Sequence, residues 1–182
     1  MASLTMKNNK EKIMQVARKL FLQHGYNGIS IRTIAAEADL TTGAIYFHFK
    51  NKRDIYLAIC LEAIDILIGR FREGIASRRG NPQKLISTYD SYMDFYFNNR
   101  EHYNILMEHR GDYESEAGKE EITSKMTELL DVIAGTFRAG VNAGDFKDID
   151  PMVLALFLGS VDRKSTRLNS SHLKLSRMPS SA

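Results

Sequence analysis

Apolar residues recur at the spacing of an α-helix along most of the chain. The first such set follows an i, i+3, i+4, i+7, i+8 pattern and consists of Ile13, Val16, Ala17, Leu20 and Phe21. This pattern is typical of an amphipathic helix that buries one face. The 182 residues include only three prolines and twelve glycines, and the β-branched residues do not alternate with polar ones as in a half-buried strand. The sequence therefore predicts an all-α protein.

Turn signals divide the first part of the chain into three helices. We expect a helix over residues 8–24 that Gly25 ends, followed by a short helix that Ser30 caps and Asp39 ends. Thr41 is placed to cap a third helix. A supporting helix followed by two short helices across a tight turn is a helix-turn-helix arrangement.

The third predicted helix lies in the stretch TTGAIYFHFKNK, residues 41–52. At about 100° per residue, a core-facing Ile45 has Phe49 beside it and Phe47 on the opposite side. Packing within a small three-helix domain, the alternative interpretation, explains Ile45 and Phe49 but leaves Phe47 facing away from the core. A large exposed aromatic side chain beside hydroxyls and cations indicates a surface for a partner.

The chemistry of this helix suits double-stranded DNA. Its small first residues, Thr42, Gly43 and Ala44, allow the backbone to approach the floor of a major groove. Hydroxyls can then reach base edges, apolar groups can pack on thymine methyls or sugars, and cations can reach phosphates. The predicted DNA-binding residues are Arg32, Thr41, Thr42, Gly43, Ala44, Tyr46, Phe47, His48 and Lys52.

Charge is distributed unevenly along the chain. Residues 1–54 carry a net charge of +5, residues 55–161 a net charge of −6 and residues 162–182 a net charge of +4, for a total of +3. A basic first part on an acidic remainder is expected of a nucleic-acid-binding module carried by a domain that does not bind nucleic acid. The alternative is a random scatter of surface charge.

Residues 10–56, above all SIRTIAAEADLTTGAIYFHFKNKRDIY, resemble the DNA-binding domain of the TetR (TetR/AcrR-like) family of transcriptional repressors. The resemblance implies that the recognition-helix residues contact DNA, that Lys52 contacts a phosphate and that Arg32 contacts the operator. Asp39 stands where the family usually has glycine. Because aspartate tolerates left-handed backbone better than most residues, we expect a small stability cost and an intact motif.

The resemblance also implies two domains. These are a helix-turn-helix DNA-binding domain at residues 8–54 and an effector-binding and dimerisation domain at residues 55–161. In the family, a long fourth helix joins the two domains, a small-molecule effector in the second domain weakens DNA binding, and two subunits form a homodimer on the operator.

The remainder of the chain is also predicted to be helical. A fourth helix runs from Lys52 to about residue 77, Asn81 caps a fifth helix with Pro82 in its first turn, and a seventh helix spans residues 119–140. The expected inner face of the fifth helix consists of Leu85, Ile86, Tyr89, Tyr92, Met93, Tyr96 and Phe97. Such a tyrosine-rich face favours a ligand cavity, although core packing explains each residue taken singly. The predicted ligand-binding residues are Phe71, Tyr89, Tyr92, Met93, Tyr96, Tyr103, Met107 and Phe137.

Several classes of protein are excluded by what the sequence lacks. It contains no phosphate loop, no GxSxG and no HExxH motif, so we expect neither an enzyme nor a cofactor. The single Cys60 rules out an internal disulfide and indicates a reducing, cytoplasmic location. His102 and His109 could share a helix face, but two such histidines more often serve in packing than as metal ligands. No apolar run is long enough to cross a membrane.

The composition changes at residue 162. The stretch DRKSTRLNSSHLKLSRMPSSA follows an apolar segment that begins at Asp150-Pro151, which we predict to start an eighth helix. The nucleotide sequence of a common sequencing adapter, when it is translated in a single reading frame, resembles both DRKSTRLNSSH and SRMPSSA. We therefore expect residues 162–182 to be a translated, non-native tail and the dimer interface to be incomplete. The alternative is a native basic tail.

The sequence as a whole predicts a ligand-responsive DNA-binding transcriptional regulator. We expect a repressor that a small apolar or aromatic effector releases from its operator. The alternative is a helical small-molecule-binding protein that does not bind an operator.

Overall fold

A computed structural model describes residues 2–108 and 116–147, and these ranges contain helices and turns but no strand. The all-α prediction is therefore confirmed. The predicted eighth helix and the tail lie outside these residues. The helices are α1 (Ala2–His24), α2 (Ile31–Glu37), α3 (Thr42–His48), α4 (Lys52–Ala76), α5 (Asn81–Asn98), α6 (Arg100–Glu108) and α7 (Glu116–Asn142).

The first three helices form a small unit, here called the head, in which α1 packs on α2 and α3. Its core includes six side chains that are at most 3% exposed, namely Ile13, Ala17, Phe21, Ile34, Ala35 and Ile45. The chain leaves α1 at Gly25, whose φ of +72° is the left-handed conformation that ends many helices. The predicted end of this helix is confirmed, whereas its start lies earlier than residue 8.

Side-chain caps fix where the next helices begin. The Ser30 hydroxyl accepts a hydrogen bond from the Thr33 amide at 3.1 Å, and the Thr41 hydroxyl accepts one from the Ala44 amide at 3.1 Å. Both caps were predicted from the residue types. A third cap joins the head to α4, since the Asn51 side chain accepts from the Asp54 amide at 2.9 Å.

The turn between α2 and α3 contains Asp39 in the left-handed region, with φ of +51°. This conformation was expected, and it lets the Leu40 amide donate to the Ala35 carbonyl at 2.9 Å. Because a side chain crowds the backbone there, Asp39→Gly is expected to raise the free energy of unfolding by about 0.5 kcal/mol. Asp39→Ala, which has neither glycine's freedom nor a polar side chain, should lower it by about 1 kcal/mol. Urea unfolding of the three proteins measures the order, and an alanine variant as stable as the natural chain would contradict it.

The long helix α4 runs through the centre of the protein, and α1, α5, α6 and α7 all pack against it. The four helices α4, α5, α6 and α7 are here called the body. The buried residues of α4 are Ile55, Tyr56, Ile59, Cys60, Ala63, Ile64, Leu67, Ile68 and Phe71. Because they belong to the same cluster as the buried residues of α1, α2 and α3, head and body share one continuous core.

The fifth helix differs from its prediction in two ways. Its N-cap is Gly80, with φ of +84°, and not Asn81; the Asn81 side chain instead donates to the Asp145 carboxylate at 2.8 Å. Its predicted inner face is also wrong in part, because three expected inner residues are exposed: Ile86 (59%), Tyr89 (53%) and Phe97 (68%).

The reason is a close approach between α4 and α5. A Cβ on Gly74 would lie only 2.7 Å from the Ser91 hydroxyl, so small side chains must meet there. The buried Ser87 and Thr88 hydroxyls donate to carbonyls of their own helix, each at 2.7 Å. Because an internally bonded hydroxyl is inexpensive to bury, the face of α5 that carries Ser87, Thr88 and the 1% exposed Phe95 packs inward, and part of the predicted apolar face remains outside.

Candidate nucleic-acid interface

The third helix presents two aromatic rings to solvent. Ile45 and Phe49 point into the core with 0% and 5% exposure, whereas Tyr46 and Phe47 are 55% and 67% exposed. The predicted orientation is confirmed. Two adjacent exposed rings on a helix whose inner face is already well packed form a surface patch with no internal function in the described part of the chain.

The start of α3 leaves room for a close partner. Gly43 is exposed, and a Cβ added there would meet only the Thr41 hydroxyl, at an ordinary contact distance of 3.7 Å. Internal packing therefore does not require glycine at this position. Thr42 and Ala44 are half-buried at the edge of the head, and the Thr41 hydroxyl accepts the Ala44 amide while its own proton remains available.

Two further predicted DNA-binding residues lie in α3 and in the neighbouring helix α2. His48 is half-buried, and its ring lies 5.1 Å from that of Phe47 in an edge-on arrangement. Arg32 is exposed in the first turn of α2. The structure therefore brings polar, cationic and aromatic groups to the region around α3.

Lys52 also makes internal hydrogen bonds that the sequence did not indicate. Its ammonium donates to the carbonyl oxygens of Tyr26 at 2.6 Å and Ile29 at 2.9 Å, and it lies 4.2 Å from the centroid of the Tyr26 ring. Burial lowers the pKa of Lys52 below its ordinary value of 10.5. The side chain thus holds the α1–α2 turn against the first turn of α4, and at most one of its three protons is left for a phosphate.

A cluster of three aromatic rings packs against the α1–α2 turn. The Phe21 ring lies 5.6 Å from that of Tyr26 and 5.3 Å from that of Tyr56. The Tyr56 hydroxyl donates to the Ile105 carbonyl of α6 at 3.0 Å. The cluster therefore connects the head to both α4 and α6.

The predicted ligand-binding residues are only partly brought together. Phe71 and Tyr103 are buried in the common core, and Tyr92, Tyr96 and Met107 pack against it. The rings of Tyr96 and Tyr103 are 4.7 Å apart. The other three predicted residues lie differently: Met93 is half-buried, Tyr89 is exposed, and Phe137 stacks on Phe146 at 5.1 Å.

Two open grooves lie elsewhere on the surface. One, of about 810 Å³, is lined by Arg72, Glu120, Thr123, Ser124, Thr127, Glu128, Asp131 and Val132. The other, of about 530 Å³, is lined by Lys10, Met14, Ala58, Leu61, Glu62, Asp65 and Ile66. Neither groove includes a predicted ligand-binding residue, so neither corresponds to the expected cavity.

Metal binding and membrane insertion find no support in the described ranges. No group of three or more His, Cys, Asp or Glu side chains within residues 2–108 and 116–147 could hold a metal ion. His102 instead bonds to Arg18 and Glu62, and His109 lies outside those ranges. Among the same residues, none of the helices combines the length and apolarity needed to span a bilayer.

Comparison with known proteins supports the resemblance of the head to a family of DNA-binding regulators. Residues 13–59 match the family of bacterial regulatory proteins named tetR. The HTH-type transcriptional activator FasR of Mycolicibacterium smegmatis is 26% identical over 105 residues, which are 58% of this chain and 47% of FasR. The chain thus spans about half the length of the curated relatives it matches.

Solved structures extend the likeness to the body. A tetR-family regulatory protein from Rhodococcus RHA1 has a TM-score of 0.74 and 27% identity, over 84% of this chain and 80% of that one. The regulator FadR from Bacillus subtilis, solved in complex with stearoyl-CoA, shares the fold with a TM-score of 0.76 and 21% identity, over 90% of this chain and 89% of that one.

These likenesses are to transcriptional regulators, so the prediction that the chain is not an enzyme is confirmed. Residues 13–59 thus match the tetR family of bacterial regulatory proteins, and the fold of the chain is that of solved TetR-family regulators.

Proposed function

We propose that the chain is a transcriptional regulator that reads duplex DNA with α3 and whose DNA affinity a small-molecule effector controls. The observation that carries the proposal is the exposure of Tyr46 and Phe47 on a helix whose inner face is already packed. The net charge of +5 over residues 1–54 supplies the attraction to phosphates. The match of residues 13–59 to the tetR family supports the same function.

In this proposal α3 enters the major groove with its slim end first. Gly43 allows the backbone to approach the bases, and Thr42 hydrogen-bonds a base edge. Phe47 packs on thymine methyl groups or sugars. Thr41, Tyr46, His48 and Arg32 contact the DNA backbone or the groove edge.

Lys52 contributes mainly as a positioning residue. Its two bonds to the α1–α2 turn fix the angle between the head and α4, and its remaining proton can reach a phosphate at the same time. The family-based phosphate contact and the observed internal contacts are therefore compatible.

The proposed effector is a small molecule with an apolar or aromatic part. Support comes from the contact between Tyr96 and Tyr103 and from the packing of Tyr92 and Met107 beside them, since such surfaces favour apolar ligands. We further propose that the parent protein, with a complete dimer interface, acts as a repressor in a homodimer, which would present two copies of α3 to successive half-sites. The relative FasR is named as an activator, so a reporter gene behind the selected operator must decide the direction of regulation.

Fluorescence anisotropy tests the DNA-binding part of the proposal. The probe is a labelled duplex selected by the purified chain from a random-sequence pool. We expect affinity to fall at least tenfold between about 50 and 200 mM salt, because counterions are released from the phosphates. A scrambled duplex serves as the control and should bind more weakly. If neither this chain nor a parent protein with a complete dimer interface forms a salt-sensitive, sequence-preferring complex, the regulator is ruled out in favour of a helical ligand-binding protein.

The same assay tests the effector. Stearoyl-CoA is added to the preformed complex, and coenzyme A alone is the matched control for its polar part. Release of DNA by stearoyl-CoA but not by coenzyme A supports an apolar effector. Release by coenzyme A alone would contradict an apolar binding surface, and persistence of the complex with both would contradict effectors of the long-chain acyl type.

A further inference from the structure

A polar cluster lies where the head meets the body. It consists of Arg18 on α1, Glu62 on α4, and Glu101 and His102 on α6. Arg18 Nη1 donates to Glu62 Oε2 at 3.2 Å, and Arg18 Nε donates to Glu101 Oε2 at 3.1 Å. Two members of the cluster are well covered, with side-chain exposures of 14% for Arg18 and 12% for His102. One arginine therefore joins three helices across the head–body junction.

The His102 ring has two competing neighbours on one nitrogen. Its Nε2 lies 2.6 Å from Arg18 Nη1 and 3.1 Å from Glu62 Oε2. When the ring is neutral with its proton on Nδ1, Nε2 accepts a hydrogen bond from Arg18. When the ring is protonated, Nε2–H can donate only to Glu62, and two cations then lie 2.6 Å apart. The two protonation states thus favour different arrangements of the same groups.

The observed arrangement fits the neutral ring. The charged groups that face His102 are Arg18 from α1, Glu62 from α4 and Glu101 from its own helix. Burial is the largest influence and lowers the pKa of His102 below its ordinary value of 6.5, and Arg18 lowers it further. The bond to Glu62 and the charges of Glu62 and Glu101 act in the opposite direction without reversing the shift.

We infer that Arg18, Glu62, Glu101 and His102 form a proton-sensitive latch that holds the head against the body, and that protonation of His102 opens the latch and weakens DNA binding. The inference rests on the proposed function, because it needs DNA as the ligand of the head. A held head presents α3 at a fixed angle, whereas a released head must be ordered when DNA binds, which costs affinity.

Linkage gives the latch a signature that a structural ion pair lacks. If protonation of His102 weakens DNA binding, then DNA binding must lower the pKa of His102 by the same coupling free energy. Phosphates act in the opposite direction, since nearby anions raise the pKa of a histidine. A direct effect of nearby phosphates would therefore raise the pKa of His102, whereas the latch lowers it.

Nuclear magnetic resonance of the chain with labelled histidine rings tests this signature. The pKa of His102 is measured from about pH 5 to 8 with and without the selected duplex, and His102→Gln assigns the signal. We expect the pKa of His102 to fall when DNA binds. An unchanged or raised pKa of His102 in the complex overturns the latch.

Binding measurements give the functional counterpart. The natural chain should lose about fivefold or more in DNA affinity between about pH 7.5 and 5.5 relative to His102→Gln, a ratio that corresponds to ordinary coupling energies. The matched control is His24→Gln, which removes an exposed histidine of the head and should keep the pH dependence of the natural chain. Equal pH dependence in all three proteins overturns the latch.

A DNA-free arm separates failure of the latch from failure of the proposed function. The Arg18 Nε–H signal in a nitrogen-15 spectrum should be protected from exchange at neutral pH and lose protection as His102 titrates. In His102→Gln this loss of protection should be absent. Arg72 lies near the end of α4 and pairs with Glu128 of α7, so the exchange of its signal should not change with the titration in either protein. If the chain binds no DNA yet Arg18 behaves as expected, the latch exists and the regulator proposal is wrong. If Arg18 ignores the titration, the latch is wrong.

Discussion

Replacing Tyr46 and Phe47 together by alanine is expected to lower the affinity for the selected duplex by about 100-fold. The two rings are 55% and 67% exposed in the free protein, so their burial against DNA is a gain that occurs only in the complex. Buried aromatic anchors at interfaces are worth about 1–2 kcal/mol or more each, and about 2.7 kcal/mol corresponds to a factor of 100. Anisotropy at one salt concentration measures the change.

The body offers a matched control for this variant. Tyr89 and Phe97 are of the same residue types and have nearly the same exposures, 53% and 68%, but they lie on α5. The pair Tyr89→Ala and Phe97→Ala should leave DNA affinity within about twofold, and both double variants should unfold at the temperature of the natural chain, because surface changes usually cost within about 0.5 kcal/mol. Equal DNA binding by the two double variants would contradict the proposed docking face.

Phe21→Ala is expected to lower the free energy of unfolding by about 3–5 kcal/mol, the usual cost of deleting a buried phenylalanine. The ring is 1% exposed and contacts the rings of both Tyr26 and Tyr56. Its loss leaves a cavity between α1 and α4 and removes the support of the turn that Lys52 holds. Urea unfolding followed by circular dichroism measures the change.

Phe97→Ala is the matched control, since it removes the same ring from an exposed position and should cost within about 0.5 kcal/mol. A cost below about 1 kcal/mol for Phe21→Ala would mean that the head collapses around the deletion or that the ring is not central to the core. If the variant remains folded at low temperature, its DNA affinity should also fall, because the α1–α2 turn is no longer held in place.

Much of the head could be predicted because its determinants are local. Ser30 and Thr41 cap α2 and α3 through bonds to amides three residues later, and residue type alone indicates such caps. The opposite directions of Ile45 and Phe47 follow from helical geometry. The left-handed Asp39 was also expected, from the turn and from the tolerance of aspartate for that conformation.

The body was predicted less well than the head. Helical periodicity indicates which apolar side chains share one face of a helix, but not which other helix that face packs against. The face of α5 was set by the close approach of Gly74 to Ser87 and Ser91, residues that are far apart in the chain. The Ser87 hydroxyl donates to the Lys84 carbonyl of its own helix and the Ser91 hydroxyl donates to the Arg70 carbonyl of α4, so both polar groups are satisfied on the face that meets α4. For the same reason the proposed effector-binding residues were only partly brought together.

The sequence by itself determined the helices, the caps of the head and the outward direction of Phe47, because each depends on residues within one or two turns of helix. Only the tertiary structure decided the internal contacts of Lys52, the inner face of α5 and the joining of Arg18 to Glu62, Glu101 and His102. The contacts of Lys52 and Arg18 span 23 to 84 residues of sequence, and those of Gly74 with Ser87 and Ser91 join two different helices. Pairings over such distances depend on how the helices pack, and packing is a property of the whole core rather than of any single segment.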